Sequence, residues 1–565
     1  MYGWGGIAVP AIGVDTDKER PPPPSPIPLD FPSYVLPEPA ENASEETLDD
    51  FYRLLISIRK PQDLSVDRLK ALNLKLQTDV PAASLIPEGR MRSLPPLPWE
   101  DVSSQQSEQG ASENPQKVMG NGIPYPPKEK FDIVKKEMLF DNDDAFREVT
   151  RMAPLPGREK IKVTQTRRFW TGLERMAQYW DDSLDNYFER PATPKQDDGA
   201  GDKMQTDDDR SPEKTEGADG KMDIDSEGPG PDTRGKQEDE GRQPTKAVYT
   251  GRRHGNGSDM PEEMREETIR GFVEMTAWPF GCQATAPGLP PRLAVRNLLF
   301  PVRQTLLAAR VPTDRQLARR GVLEGPLLVV QCRPEVSFRE PGQDVGYGTG
   351  EVCDLFREVG AMLLAAQERA REGATEVKPG EGKWWTTVPR WGGAPHAGVT
   401  GDAKNSDDKP ASEEKPETGN ANKRSKHDHS FNFRRALSSL STHPRKMSTA
   451  ERWRLIQPGP SLWDKKMIYL QLGKPKDSPF DDIYMLSSIN THVSILHLRV
   501  HRRYLENIQT GNRNVRPNED ASGEPWHVLQ LRRTRWYDLF KASDRLEAFE
   551  GLWRVFHYMM RSDPD

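Results

Sequence analysis

Gly325-Pro326-Leu327-Leu328-Val329-Val330-Gln331-Cys332 is the stretch on which the reading of the fold turns. Two breakers precede a short run of branched apolar side chains, a composition that predicts a buried β-strand. Downstream, Glu351 to Glu372 carries Val352, Leu355, Val359, Met362, Leu363 and Ala366 at intervals of three and four, with Gly373 as its stop, and predicts a helix. Strand, loop and helix in this order suit an α/β unit. Upstream, a helix starts near Asp259 with Pro261 in its first turn and places Met264, Ile269, Phe272 and Met275 on one face. Leu293–Val302 and Thr305–Val311 read as strands or as a broken helix. Together these segments make residues 248–393 a mixed α/β island.

Three further islands flank it. Residues 45–77 read as a helical hairpin, with Leu48, Phe51, Leu55 and Ile58 before Pro61 and Leu69, Leu72 and Leu76 after it. Residues 131–190 read as helical, with Thr164 or Thr166 capping a stripe of Phe169, Leu173, Met176 and Trp180. The acidic run Asp141-Asn142-Asp143-Asp144 has a calcium-loop flavour, but Phe146 and Met152 replace the glycine and glutamate that such a loop needs. Residues 447–565 form an α+β island. In it Lys466–Leu472 alternates as a strand, and Ser478-Pro479 opens a long helix with Leu486, Ile489, Val493, Leu496 and Val500 at coiled-coil-like spacing. Trp526–Leu531 is a second strand, and a last helix from Asp544 carries Leu546, Phe549, Leu552, Trp553, Phe556 and Met560.

Between the islands lie residues 1–44, which are Pro-rich, and 78–130, 191–247 and 394–446, which are polar and charged. Such compositions cannot offset the entropy of ordering their backbone, so these are expected to be disordered linkers. The Pro-rich start, with Pro21-Pro22-Pro23-Pro24, reads as a stiff spacer. The expected fold class is therefore α+β (mixed) islands separated by long disordered linkers, helix-rich overall.

The 565 residues carry a net charge of -7, with 34% hydrophobic and 30% charged residues, so much less is packed than the length allows. Cys282, Cys332 and Cys353 are too few and too far apart for a disulfide framework or a zinc site. Met1–Asp15 has no signal-peptide pattern and no apolar run is long enough to span a membrane. The chain reads as intracellular, in the nucleus or cytoplasm.

Asp344-Val345-Gly346-Tyr347-Gly348-Thr349-Gly350 resembles the acidic, glycine-rich first motif of class I S-adenosylmethionine-dependent methyltransferases. That resemblance implies a cofactor loop built on Asp344, Gly346, Gly348 and Gly350. Here, though, Ser337–Gln343 precedes the loop in place of the family's buried strand. His492, His497 and His501 fall on the expected long helix, the last two at the spacing of zinc proteases, but Leu498 stands where the catalytic glutamate would be. No catalytic residue, resident cofactor or metal is assigned.

A basic and aromatic grouping is a stronger signal. Arg499, Arg502 and Arg503, with Arg532, Arg533, Arg535 and Trp536, combine guanidinium groups with stacking rings, which suits an acidic partner or nucleic acid. Lys423, Arg424 and Lys426, followed by Arg434 and Arg435, resemble a nuclear-import signal. Trp384, Trp385 and Trp391 are candidate interface anchors. The expectation is a non-enzymatic scaffold or regulatory subunit that docks protein partners. The alternatives are a methyltransferase-like enzyme using residues 344–350, and a nucleic-acid-binding subunit using the C-terminal arginines.

Overall fold

The computed structural model describes residues 21–40, 45–58, 63–87, 94–100, 118–191, 245–287, 291–296, 298–371, 468–474, 478–511 and 525–562. In chain order the elements are α1 (Glu45–Ser57), α2 (Val66–Leu69), β1 (Leu74–Gln77), α3 (Lys128–Met138), α4 (Asn142–Val149), α5 (Arg167–Trp180), β2 (Tyr187–Pro191) and β3 (Thr245–Tyr249). They continue as α6 (Glu262–Ala277), β4 (Cys282–Thr285), β5 (Arg292–Val295), β6 (Leu298–Pro301), β7 (Leu306–Arg310), α7 (Arg315–Arg319), β8 (Val322–Arg333) and α8 (Thr349–Ala370). The last are β9 (Ile468–Leu470), β10 (Phe480–Ile489), β11 (His492–His501), α9 (Arg502–Thr510), β12 (Leu529–Arg533), β13 (Tyr537–Asp538) and α10 (Ala542–Met559).

The chain divides into two units, Met1–Ser25 with Asp181–His254, and Pro26–Trp180 with Gly255–Asp565. In the smaller one β2 and β3 pair antiparallel, Tyr187 opposite Tyr249. Asp185 fastens it by accepting from Tyr249 Oη at 2.7 Å and from Arg253 Nη2 at 2.7 Å.

The larger unit is built on a nine-stranded mixed sheet of order β1-β12-β11-β10-β8-β7-β4, with β9 beside β8 and β13 beside β11. β8, α8 and β10 form a parallel crossover, with Val329 beside Met485. On one face Val329, Met485 and Leu496 meet Val352, Leu355, Val359 and Met362 of α8. On the other, α10 packs against α6 and β11, and Trp553 meets Phe280 and Phe131 edge-on at 5.0 and 5.1 Å. Helices and strands are mixed throughout, as expected.

The long helix expected after Ser478-Pro479 is instead the central β-hairpin β10–β11, paired from Phe480–His501 to Ile489–His492. Every residue of β10 is buried. A strand buried on both faces loses the alternation that marks a half-exposed one, and its apolar residues then fall on helical spacings by coincidence. The turn is Asn490-Thr491, with Asn490 at φ 51° and no glycine to announce it. The second arm of the expected helical hairpin is also different: α2 is one turn long, and Leu74–Gln77 becomes edge strand β1, parallel to β12. The strand expected at Trp526–Leu531 lies at Leu529–Arg533. Gly325-Pro326 lies inside β8, opposite a bulge between Ala308 and Arg310, and does not bound it. Thr164 and Thr166 turn their hydroxyls to Glu137, and Asp141 caps α4 through Asp143 N.

Two stretches composed like linkers are packed. Leu85, Leu97 and Met119 are core residues. Residues 26–40 run as an extended strap along the larger unit, Ala40 N donating to Asn73 Oδ1 at 2.7 Å.

Candidate functional site

In open α/β sheets ligands gather at the carboxyl ends of parallel strands. Here that edge holds Arg333 at the end of β8, Ser487 near the end of β10, and Arg533 at the end of β12. α8 opposes them with Glu351, Asp354 and Glu358, whose spacing of three and four sets all three carboxylates on one face. The strap adds Asp30, Phe31, Ser33 and Tyr34.

These groups form one buried network. Arg333 pairs with Asp354, donates to Ser487 Oγ, and lies 3.1 Å from Glu358 Oε1. Arg533 Nη2 donates to Glu358 Oε1 at 2.7 Å, and Ser487 Oγ donates to the same oxygen at 2.6 Å. Tyr34 Oη accepts from Arg533 Nη1 at 2.8 Å and donates to Asp354 Oδ2 at 3.0 Å. Burial by itself would lower the Arg333 guanidinium, but Asp354 and Glu358 outweigh it and hold it above its ordinary value. Burial also carries the Tyr34 phenol well above its usual range. Neither Arg333 nor Tyr34 titrates near neutrality.

The strap seals this edge. Phe31 stacks on Trp536 at 5.4 Å and meets His492 edge-on at 4.9 Å, while Arg533 lies 4.7 Å above the Trp536 ring. Asp30 pairs with Arg339, and Ser33 N donates to Glu351 Oε1 at 2.9 Å. Beneath it, Gln331, Ser487 and Ser494 stand side by side on three neighbouring strands. Gln331 is 0% exposed, and neither of its amide atoms has a partner in the protein; Glu358 Oε2 and Arg533 Nε are in the same position. An unpaired buried polar atom costs about 1–3 kcal/mol. The edge therefore holds hydrogen-bonding capacity in reserve under its cover.

The glycine loop is turned inward. Gly346 N and Gly348 N donate to Glu351 Oε2 at 2.8 and 3.0 Å, so the amides that would face a cofactor are taken by the first turn of α8. A Cβ on Gly346 would lie 2.5 Å from Val35 of the strap, and one on Gly350 would collide with the Phe338 carbonyl. Asp344 closes a turn with Tyr347. The glycines thus fit the loop to the strap.

The three histidines are separated. His497 Nε2 bonds Asp482 Oδ1 at 2.8 Å beneath the stacked ring of Tyr484, and Tyr558 Oη donates to Asp482 Oδ2 at 2.8 Å. Burial pushes the Asp482 carboxyl up, but His497 and Tyr558 hold it well below the carboxylate range. This acid–imidazole pair is locked in the core. His501 caps α9, and His492 meets the strap. Among the described residues, no group of His, Cys, Asp or Glu is placed to hold a metal ion, and the three cysteines are buried thiols.

The arginine grouping is divided. Arg533 and Trp536 join the buried network. Arg499 stacks on Phe480 at 4.6 Å, and Arg532 donates to Ser84 O. Arg535 pairs with Asp544 at 3.0 Å and Glu547 at 2.6 Å. Arg502 and Arg503 begin α9, Arg503 N donating to His501 Nδ1. Lys423, Arg424, Lys426, Arg434, Arg435, Trp384, Trp385 and Trp391 lie outside the described residues. Sequence reasoning missed Tyr34, Arg333, Asp354, Glu358 and Ser487. The one legible signal was three acids repeating on a single face of an otherwise apolar helix.

Fold and site together define a protein of mixed helices and strands in which residues 26–40 cover the carboxyl ends of the parallel strands of the sheet. No protein-family model, curated protein or solved structure matches the chain.

Proposed function

We propose that this chain is a non-enzymatic scaffold or regulatory subunit that docks protein partners. The carrying observation is the strap: the sheet edge where a substrate would enter is filled by Phe31, Ser33 and Tyr34, and the charges there are spent on one another. The other groups with catalytic chemistry are used the same way. The Asp482–His497 pair is core, and the glycine-loop amides serve Glu351, which weighs against the methyltransferase reading. Arg533 and Arg535 are paired to acids, which weighs against the nucleic-acid reading. Among the described residues no helix is long and apolar enough to cross a membrane. The basic cluster from Lys423 to Arg435 favours the nucleus as the compartment.

The test is sedimentation of the tagged, endogenous-level chain in fresh extract, beside a heat-unfolding titration with S-adenosylmethionine. We expect an assembly much heavier than the 64.0 kDa chain and no shift of the midpoint. A lone chain whose midpoint rises saturably with the cofactor overturns the proposal in favour of the enzyme.

A further inference from the structure

A second feature lies in the smaller unit. Pro21-Pro22-Pro23-Pro24-Ser25 belongs to no helix or strand, and its conformation follows from covalent geometry. Each proline ring fixes φ at about −65° and bars the residue before it from the helical region, so the run adopts polyproline II, with three residues per turn. Exposure repeats with that period: Pro21, Pro22, Pro24 and Ser25 are exposed, whereas Pro23 and Pro26 are half-buried. Arg253 holds the backbone, donating from Nη1 to the Pro24 carbonyl and from Nη2 to the Pro23 carbonyl at 3.4 Å. Asp185 fixes that guanidinium in turn, accepting from Arg253 Nε at 2.9 Å and from Nη2 at 2.7 Å. The tetraproline is thus held by its carbonyls while the rings of Pro21, Pro22 and Pro24 face solvent.

We infer that Pro21–Ser25 is a docking ligand for a partner protein whose aromatic-lined groove reads polyproline II. Such grooves take prolines one turn apart on a single edge of the helix, the Pro-x-x-Pro spacing. The sequence holds two overlapping frames of that kind, Pro21 with Pro24 and Pro23 with Pro26. The structure chooses between them: the second pair is half-buried, and the first presents both rings. No charged side chain lies in the run, so an aromatic groove covers it without burying an unpaired charge. A free peptide loses conformational freedom when it binds. Here the proline rings and the Arg253 clamp have removed much of that freedom beforehand, which lowers the cost of association. The inference names one class of partner within the docking reading of the chain and rests on that reading.

The test is titration of the purified full-length chain against a panel of purified SH3 and WW domains, which read polyproline II by such grooves. We expect saturable binding to domains of the panel. Affinity should fall about tenfold or more in the Pro21→Ala/Pro24→Ala double variant, which removes two rings from the groove. That variant should keep the parent's unfolding midpoint, because both rings are exposed. Pro23→Ala/Pro26→Ala removes as many prolines from the half-buried edge and should weaken binding by no more than about twofold. Equal losses in the two variants, a loss confined to Pro23→Ala/Pro26→Ala, or no binding across the panel each overturns the inference. Sedimentation of the chain in extract separates its failure from that of the docking reading. Without panel binding, an assembly that stays heavy leaves that reading standing, whereas a lone chain removes it as well.

Discussion

Gly346 and Gly350 fit the loop to its surroundings for different reasons. Gly346 has φ +86°, where a side chain is strained, and faces Val35; Gly350 has no room beside Phe338. Gly346→Ala should therefore lower stability by more than about 1 kcal/mol in thermal unfolding. Gly342→Ala, at φ +91° with open space around it, should show the backbone strain alone and so cost less. The ionic network sets a larger effect. Glu358→Gln leaves Arg333 and Arg533 buried against one remaining carboxylate, and should cost about 3–5 kcal/mol in denaturant unfolding. A loss below 1 kcal/mol would refute the role of Glu358 in holding the two guanidinium groups. Glu266 offers a pH test. Burial, with Glu262 beside it, pushes its carboxyl up to about 7. A raised folded value means that its contribution is complete below about 4.5 and is lost as pH rises through about 7. Glu266→Gln should flatten that decline, and an unchanged pH–stability curve would refute the assignment.

At the scale of elements the strap is the feature to challenge. Tyr34→Phe removes the hydroxyl shared by Arg533 and Asp354 and should cost about 1–2 kcal/mol, with faster proteolysis at residues 26–40. If stability and cleavage are unchanged, the strap does not cover the edge in solution. The β2–β3 pair makes a complementary prediction. Pro191 and Thr245 are opposite one another in the ladder, so a short Asn-Gly turn can join them in place of the intervening residues. Thermal unfolding should show the pair stabilised, because each halving of the loop removes about 0.6 kcal/mol of closure entropy. Much of the helix pattern was legible at this scale: α8 was readable from Val352, Leu355 and Val359, and α10 from Leu552, Trp553 and Phe556. β10–β11 was not. Its partners on both faces hide the alternation, and Asn490 reaches left-handed backbone while bonding Arg265 Nε and Glu335 O, contacts that no local reading contains.

At the scale of the whole molecule, the segments read as separate islands meet in one sheet: β1 from the first, β8 from the third, and β10 to β12 from the fourth. The sequence by itself determined where apolar side chains cluster, which of them form one-sided helices, and that long polar stretches lie between. These follow from composition and periodicity, which report a residue's immediate neighbours and a single buried face. Only the tertiary structure decided the sheet order, the buried hairpin and the strapped site. Tyr34 meets Arg533, and Asn73 meets His527, across hundreds of residues. Pairings at such separation are chosen by which faces remain to be covered once the local elements exist, and no window of sequence carries that information.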